Sequence, residues 1–229
     1  MKRLIVMALA VFVLAPALLA AESIPELKLA AEAAAKAAAA APGDYAANWT
    51  AAMELRKYGA ELVLQETQGW KDLAKAAAKE GMKYGEIAQK LDPKGIAGWY
   101  WYGLCVGTYS DCVSILTALG EGLKGKTQKA FETSYALDKN YENGGPMLSL
   151  GRFWQVLPGI AGRDLKKAEQ LFNEYMSAYG SSKDANKDAW YFRGALYKDT
   201  GRKAEAKADL EKAVAMGQKD APKLLAQLK

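Results

Sequence analysis

Apolar and small residues recur along most of this chain at intervals of three and four positions, the spacing of one face of an α-helix. The pattern alternates between two kinds of predicted helix. The first kind carries a large apolar residue, a glycine four positions later and a further core residue three positions after the glycine. The second kind carries a small residue, a bulky residue four positions later and a further core residue three positions after that. Three segments follow it: Trp99, Gly103, Val106 with Thr127, Phe131, Ser134; Met147, Gly151, Trp154 with Ala168, Phe172, Tyr175; and Trp190, Gly194, Tyr197 with Ala206, Leu210, Ala213.

These spacings match the tetratricopeptide pattern, a helix-turn-helix unit of about 34 residues. The glycine lets the two helices of a hairpin approach closely, and hairpins must stack because one alone cannot bury its apolar face. The predicted fold is therefore all-α, a tetratricopeptide-like array of about three to four hairpins of which the first is degenerate. A capping helix is predicted at Asp220–Lys229. An unrelated helical bundle is the alternative.

Two of the hairpins are predicted to carry insertions. In the longer insertion, Tyr109–Lys126, the residues Val113, Leu116 and Leu119 have helical spacing and a glycine-rich stretch follows. We expect a short extra helix there, covering one face of the array so that an open groove becomes partly enclosed. The shorter insertion, Leu157–Arg163, adds about five residues to the repeat unit and predicts a lip beside the same groove.

The N-terminal part of the chain differs from the repeats. Residues 1–21 combine a basic start, an apolar run and small residues at the end, which is typical of a secretory signal peptide. An uncleaved inner-membrane anchor is the alternative, because the run is just long enough to span a bilayer. Residues 22–43 are rich in alanine and predict a helix that docks weakly or projects. The repeat domain is assigned to residues 44–229, and a periplasmic location is expected.

Composition excludes several classes of function. Loss of Lys2 and Arg3 with the signal peptide reduces 31 basic residues to 29, against 26 acidic ones. This excess is too small and too scattered for a nucleic-acid-binding surface. The chain has no histidine, so serine–histidine and cysteine–histidine relays are excluded. Carboxylate pairs such as Asp111 and Glu121 lack an apolar pocket to separate their pKa values. We expect no enzymatic activity, no cofactor and no metal.

The two cysteines are compatible with either redox state. Cys105 and Cys112 are seven positions apart, which places them about 10 Å apart along a continuous helix, beyond the reach of a disulfide. A bond would require the chain to turn near Ser110 and Asp111. The oxidising periplasm would permit it.

The concave groove of such an array is lined by the first helix of each hairpin, at the positions three before the glycine and one and four after it. Among these positions, Arg152 is the strongest candidate, because its planar fork of donors matches a carboxylate. A surface salt bridge is the alternative for Arg152, and aromatic core packing is the alternative for Tyr100. The groove positions are Tyr100, Leu104, Gly107, Leu148, Arg152, Gln155, Tyr191, Ala195 and Lys198.

Two stretches of the chain carry a resemblance to a known family. The sequences GWYWYGLCVGTYSD (98–111) and ALDKNYENGGPMLSLGRFWQVLPGIAGRDLKKAEQLF (136–172) resemble the T component of TRAP transporters, the TatT family. The shared features are an aromatic block that opens one unit, an extra helical segment, a D-x-x-Y…GG stretch and an LGR…LPG stretch. The resemblance covers roughly residues 70–215. The lipobox cysteine common in lipoprotein members is missing from this chain.

The resemblance implies a periplasmic accessory protein that associates with the solute-binding P component of a TRAP-type uptake system. It also implies a small organic or apolar ligand in the groove, and self-association into a homo-oligomer is compatible with it. The alternative function is a general periplasmic protein-interaction scaffold for envelope assembly.

Overall fold

The computed structural model describes residues 23–228. The predicted signal peptide at residues 1–21 lies outside this range. The helices are α1 (Ile24–Ala40), α2 (Tyr45–Gln65), α3 (Trp70–Leu91), α4 (Ile96–Asp111), α5 (Ile115–Gly120), α6 (Leu123–Asp138), α7 (Tyr141–Val156), α8 (Leu165–Tyr179), α9 (Lys187–Asp199), α10 (Lys203–Ala215) and α11 (Ala221–Ala226), with a 3-10 turn at Gly159–Ala161. Within the described range, no helix combines the length and apolar character required for a membrane span.

The helices form a row of stacked hairpins, which confirms the predicted all-α array. The hairpins are α2–α3, α4–α6, α7–α8 and α9–α10, and each packs against the next through neighbouring helices. At one end α1 packs along α2, and at the other α11 packs on α10. The short helix α5 is inserted within the second hairpin, as predicted for the longer insertion.

Close contact within the hairpins explains the glycine-to-bulky spacing of the repeats. A Cβ at the repeat glycine of each of the last three hairpins would lie 2.6 to 2.9 Å from a side chain of the second helix. Real Cβ atoms do not approach that closely, so only glycine leaves room for the bulky side chain at this helix separation. The glycine–side chain pairs are Gly103–Phe131, Gly151–Phe172 and Gly194–Leu210.

The alanine-rich helix α1 is docked on the array, so of the two expected arrangements the projecting one was wrong. Leu27, Ala31 and Ala38 are buried, and the hydroxyl of Tyr84 on α3 donates to the carbonyl of Ala35 over 3.1 Å. Small alanine side chains let the two helix backbones approach each other. Helix α1 has few large side chains, which suggested weak docking. Close packing of its alanines against the array supplies van der Waals contacts instead.

Replacing Tyr84 with phenylalanine should lower the free energy of unfolding by about 0.5–1.5 kcal/mol, the net contribution of one such hydrogen bond. Urea unfolding followed by circular dichroism measures the change. The matched control is Tyr179→Phe, whose hydroxyl donates to Asn140 in an exposed setting, and for which a smaller change is expected. Equal losses in the two variants would contradict the docking role of the Tyr84 hydroxyl.

Helix α7 is kinked near its start, where the sequence has Gly-Gly-Pro. The backbone is left-handed at Glu142, Asn143 and Gly144, with φ between 49° and 83°. Pro146 follows in the first turn of the straight segment, where its missing N–H costs little. At Gly145 a Cβ would lie 2.3 Å from the Tyr100 hydroxyl. The kink therefore brings the backbone of α7 against the aromatic side chain of α4.

Both cysteines are free thiols. Helix α4 is continuous to Asp111, so the turn that a disulfide would require is absent between Cys105 and Asp111. The Cys105 thiol is fully buried and donates to the carbonyl of Ala52 over 3.3 Å. Burial raises the pKa of Cys105 to about 12, which leaves it protonated and unreactive at neutral pH.

Candidate functional site

A cavity of about 730 Å³ lies between the first helices of the hairpins. One wall is the groove face of α4, and the opposite wall is that of α7. Helix α5 and the start of α6 cover it, the turn after α7 forms a lip, and α9 closes one end. The cover and the lip are the two insertions whose positions the sequence predicted. A cavity of this size accommodates a drug-sized organic ligand.

Five of the nine predicted groove positions line this cavity: Tyr100, Leu104, Gly107, Leu148 and Arg152. Leucines, aromatic rings and other apolar side chains share the walls with eleven charged or polar residues. In small-molecule sites, apolar walls provide contact area and polar groups fix the orientation of the ligand.

Gln155 is 3% exposed and does not line the large cavity. Its Oε1 accepts from Nη1 of Arg152 over 2.9 Å, and its Nε2 donates to the carbonyl of Phe192 on α9 over 2.9 Å. Gln155 therefore holds Arg152 in place and ties α7 to α9. Gln155 lines the smaller adjoining cavity of about 440 Å³ and positions Arg152 at the wall of the large one.

Tyr191 and Lys198 also lie away from the large cavity. Helix α9 instead presents Asp188 and Phe192 to it, while Ala195 lines a smaller adjoining cavity of about 440 Å³. The spacing rule assumes that each first helix has the same rotation about its own axis. In α9, Asp188 and Phe192 line the large cavity, and Tyr191 does not.

The environment of Arg152 is half-buried and largely apolar. Its guanidinium carbon lies 4.7 Å from the centroid of the Phe192 ring, and one of its donors is used by Gln155. Burial lowers the pKa of Arg152, while the charge of Asp111 is among those that act in the opposite direction. Within residues 23–228 no carboxylate approaches the guanidinium closely enough to form a salt bridge. The alternative interpretation of Arg152 as a surface salt bridge was therefore wrong.

A second arginine, Arg56 on α2, lines the same cavity and was missed from the sequence. Its Nε is buried without a hydrogen-bond partner. The signal was present, because Arg56 lies three positions before Gly59, and a Cβ at Gly59 would lie 3.5 Å from the carbonyl oxygen of Ala74 and 3.7 Å from Cβ of Ala77 on α3, the second helix of the same hairpin. Applying the groove rule to the degenerate first hairpin would have found it.

Asp111 at the end of α4 also lines the cavity, at a point open to solvent. The surrounding protein removes part of its hydration and raises its pKa, and the charges of Arg152 and Arg56 act in the opposite direction. Both cations are therefore near this single carboxylate.

Burial raises the pKa of Tyr100 to about 12, so its phenol stays neutral and can donate a hydrogen bond inside the cavity.

Exposed apolar side chains occur on the two elements that cover the cavity, and Ile115 and Leu119 among them line it. Ile115, Leu116 and Leu119 on α5 are 64%, 82% and 51% exposed, and Ile160 on the lip is 93% exposed. We call these four residues the apolar rim. Exposed apolar groups clustered beside a groove are typical of interaction sites.

Comparisons with known proteins identify the fold class. The chain matches no protein-family model and no curated protein sequence. It is similar to the crystal structure of a thermophilic tetratricopeptide protein from Thermus thermophilus, with a TM-score of 0.62 and 15% sequence identity. The match covers 90% of this chain and 91% of that one. The chain therefore has a tetratricopeptide-like fold, a class whose stacked hairpins create concave binding surfaces.

Proposed function

We propose that this chain is a non-enzymatic periplasmic accessory protein of a TRAP-type organic-solute uptake system. In this role it binds the solute-binding P component and holds a small organic ligand in its groove. The observation that carries the proposal is the cavity between α4 and α7, because the two stretches that resemble the TatT family, 98–111 and 136–172, supply these facing walls. The predicted signal peptide supports the periplasmic location.

The apolar rim supports the partner half of the proposal. A protein that passes a ligand to or from a solute-binding protein would dock it at the mouth of its own cavity, so that the ligand does not cross water. The rim residues lie on the elements that cover the cavity, and they offer exposed apolar area for such a contact. Apolar residues at the centre of an interface carry much of the binding free energy.

Affinity capture tests the proposed partner. Tagged full-length chain, recovered from the periplasm of its own cells after mild cross-linking, should retain a TRAP-type solute-binding protein. Leu116→Asp should lower the recovered partner at least tenfold, because it places a charge in the apolar rim. The matched control is Leu29→Asp on α1, a leucine that is 66% exposed and lies outside the cavity wall; it should leave recovery unchanged.

Two results would contradict the proposal. One is the repeated absence of a solute-binding protein from the captured material. The other is an equal loss of capture in the Leu116 and Leu29 variants. Capture of envelope-assembly proteins instead would favour the alternative, a general periplasmic interaction scaffold, for which the tetratricopeptide-like fold is the supporting observation.

A further inference from the structure

We infer that α3 and α6 together form a docking surface for an anionic phospholipid membrane. We call the exposed lysines of this surface the basic face: Lys71, Lys75, Lys79 and Lys83 on α3, and Lys126 and Lys129 on α6. None of these residues lines either of the two cavities described above or belongs to the apolar rim. Membrane docking is therefore a contact beyond the proposed function and does not depend on it.

The lysines of the basic face on α3 follow one another at intervals of four residues, and all of them are exposed. This spacing places them along one side of the helix over a length of about 18 Å. Within residues 23–228 none of the four forms a salt bridge. Like charges at this spacing destabilise a helix, so an anionic surface that lies against the stripe relieves a repulsion built into α3.

Other exposed helices of the chain place a carboxylate at the same spacing. The Nζ atom of Lys28 lies 3.7 Å from Oε1 of Glu32 on α1, and the Nζ atom of Lys207 lies 3.7 Å from Oε1 of Glu211 on α10. Neighbouring opposite charges of this kind stabilise a helix face that is exposed to water. The stripe of α3 therefore departs from the pattern that the chain uses on its other solvated faces.

Helices α3 and α6 both pack against α4. Buried residues of all three helices form one cluster, and Met82 of α3 and Trp99 of α4 pack against it. Lys79 precedes Met82 by three residues on α3, and the Nζ atom of Lys129 on α6 lies 5.4 Å from the centroid of the Trp99 ring. Lysines of both helices therefore flank the same seam, which makes the basic face one surface rather than two.

The carboxylates of the two helices are fewer than the lysines. Helix α3 carries five lysines and three carboxylates, and α6 carries three lysines and two carboxylates. The carboxylates are Asp72, Glu80, Glu86, Glu132 and Asp138. Glu86 accepts from the hydroxyl of Tyr102 over 3.3 Å, and Glu132 accepts from the side chain of Gln128 over 3.0 Å. Within the described residues, none of the five forms a salt bridge with a lysine of the basic face, so the excess positive charge is not neutralised by the fold.

The residue types favour a phospholipid surface over a folded acidic partner. Neither α3 nor α6 contains an arginine, the residue whose rigid fork of donors suits a fixed carboxylate. A lysine ammonium is a point charge on a flexible stem, so it can follow the phosphates of a fluid headgroup layer. Each lysine close to an anionic membrane strengthens binding about fivefold. The half-buried ring of Trp99 in the seam is of a type that is enriched at membrane–water interfaces.

Cosedimentation with vesicles tests this inference. The chain purified from its own cells is mixed with vesicles of phosphatidylcholine alone, or of phosphatidylcholine and phosphatidylglycerol in equal parts. It should bind the anionic vesicles about tenfold more tightly or better, and the comparison with neutral vesicles removes any contribution of apolar residues. Raising the salt concentration to about 1 M should abolish the difference, because the Debye length falls to about 3 Å. The variant Lys75→Gln, Lys79→Gln, Lys126→Gln, Lys129→Gln should lose binding to the anionic vesicles by about a hundredfold.

The matched control removes the same charge from exposed lysines outside α3 and α6 that form no salt bridge within the described residues. It is the variant Lys36→Gln, Lys183→Gln, Lys203→Gln, Lys219→Gln, and it should retain most of the binding. The salt dependence of the native chain needs no variant, so the test stays informative if a variant fails to fold.

Three results would overturn the membrane assignment. One is equal binding to anionic and neutral vesicles, and another is an equal loss in the two fourfold variants. The third is tighter binding of soluble polyglutamate than of anionic vesicles at equal charge concentration, which would assign the basic face to an acidic protein. Both variants keep the apolar rim intact, so capture of the solute-binding protein should not change, and failure of either proposal leaves the other standing.

Discussion

Replacing Asp209 with alanine is expected to lower the free energy of unfolding by about 3 kcal/mol or more. In the native chain, both oxygens of Asp209 accept from Arg193, from Nε over 2.7 Å and from Nη2 over 2.9 Å. The two side chains are only 7% and 17% exposed. Removing the carboxylate leaves the guanidinium of Arg193 in a poorly hydrated place without its counter-charge, and this accounts for most of the loss.

Chemical unfolding of the variant, followed by circular dichroism, measures this loss. Asp199→Ala is the matched control, because Asp199 pairs with Arg163 at a site where the two side chains are 41% and 35% exposed. A change below about 1 kcal/mol is expected there. The double variant Arg193→Met, Asp209→Leu should recover most of the stability, since apolar replacement of a buried pair is often neutral. A loss of similar size at both aspartates would contradict the explanation.

Replacing Gly151 with alanine is expected to lower the free energy of unfolding by roughly 1–3 kcal/mol. The added Cβ would lie 2.6 Å from Cε1 of Phe172, and Phe172 is fully buried between α7 and α8. The ring has little space to move in such a core, so the helices must separate or the ring must leave its rotamer.

A second substitution separates this contact from the general effect of changing a helical glycine. Phe172→Leu introduced into the Gly151→Ala variant should cost less than it does in the native chain, because it removes the atoms that the new methyl group meets. Gly107→Ala is the control: nothing lies within 4 Å of a Cβ there, so a gain of up to about 1 kcal/mol is expected from helix propensity. Simple additivity of the Gly151 and Phe172 effects would argue against the contact.

The fold could be predicted because its repeated contact has a local sequence signal. A glycine such as Gly151 and a ring such as Phe172 occur at fixed spacing, since each hairpin must solve the same packing problem. The two insertions could be placed for the same reason, because extra residues interrupt an otherwise regular period. The sequence did not decide between docking and projection of α1, since alanines that pack closely leave the same signal as alanines on an exposed helix.

The site could be predicted only in part, because it depends on how each helix is rotated. The spacing rule found Tyr100 and Arg152 on the central helices, where the array is regular. It did not give the wall residues of α9, where Phe192 lines the cavity and its neighbour Tyr191 does not. Asp111 was seen as a surface carboxylate, because its proximity to two arginines arises from three different helices and leaves no local pattern.

The free energy needed to open the cavity at helix α5 is separate from the free energy of unfolding the whole array. None of its residues, Ile115–Gly120, is buried, so its detachment would sacrifice little apolar contact. Local opening of such an element has a lower free energy than cooperative unfolding of the array. The rate at which a ligand enters or leaves can therefore change through substitutions in α5 alone, while the melting temperature stays governed by the contacts of the repeat glycines between the hairpin helices.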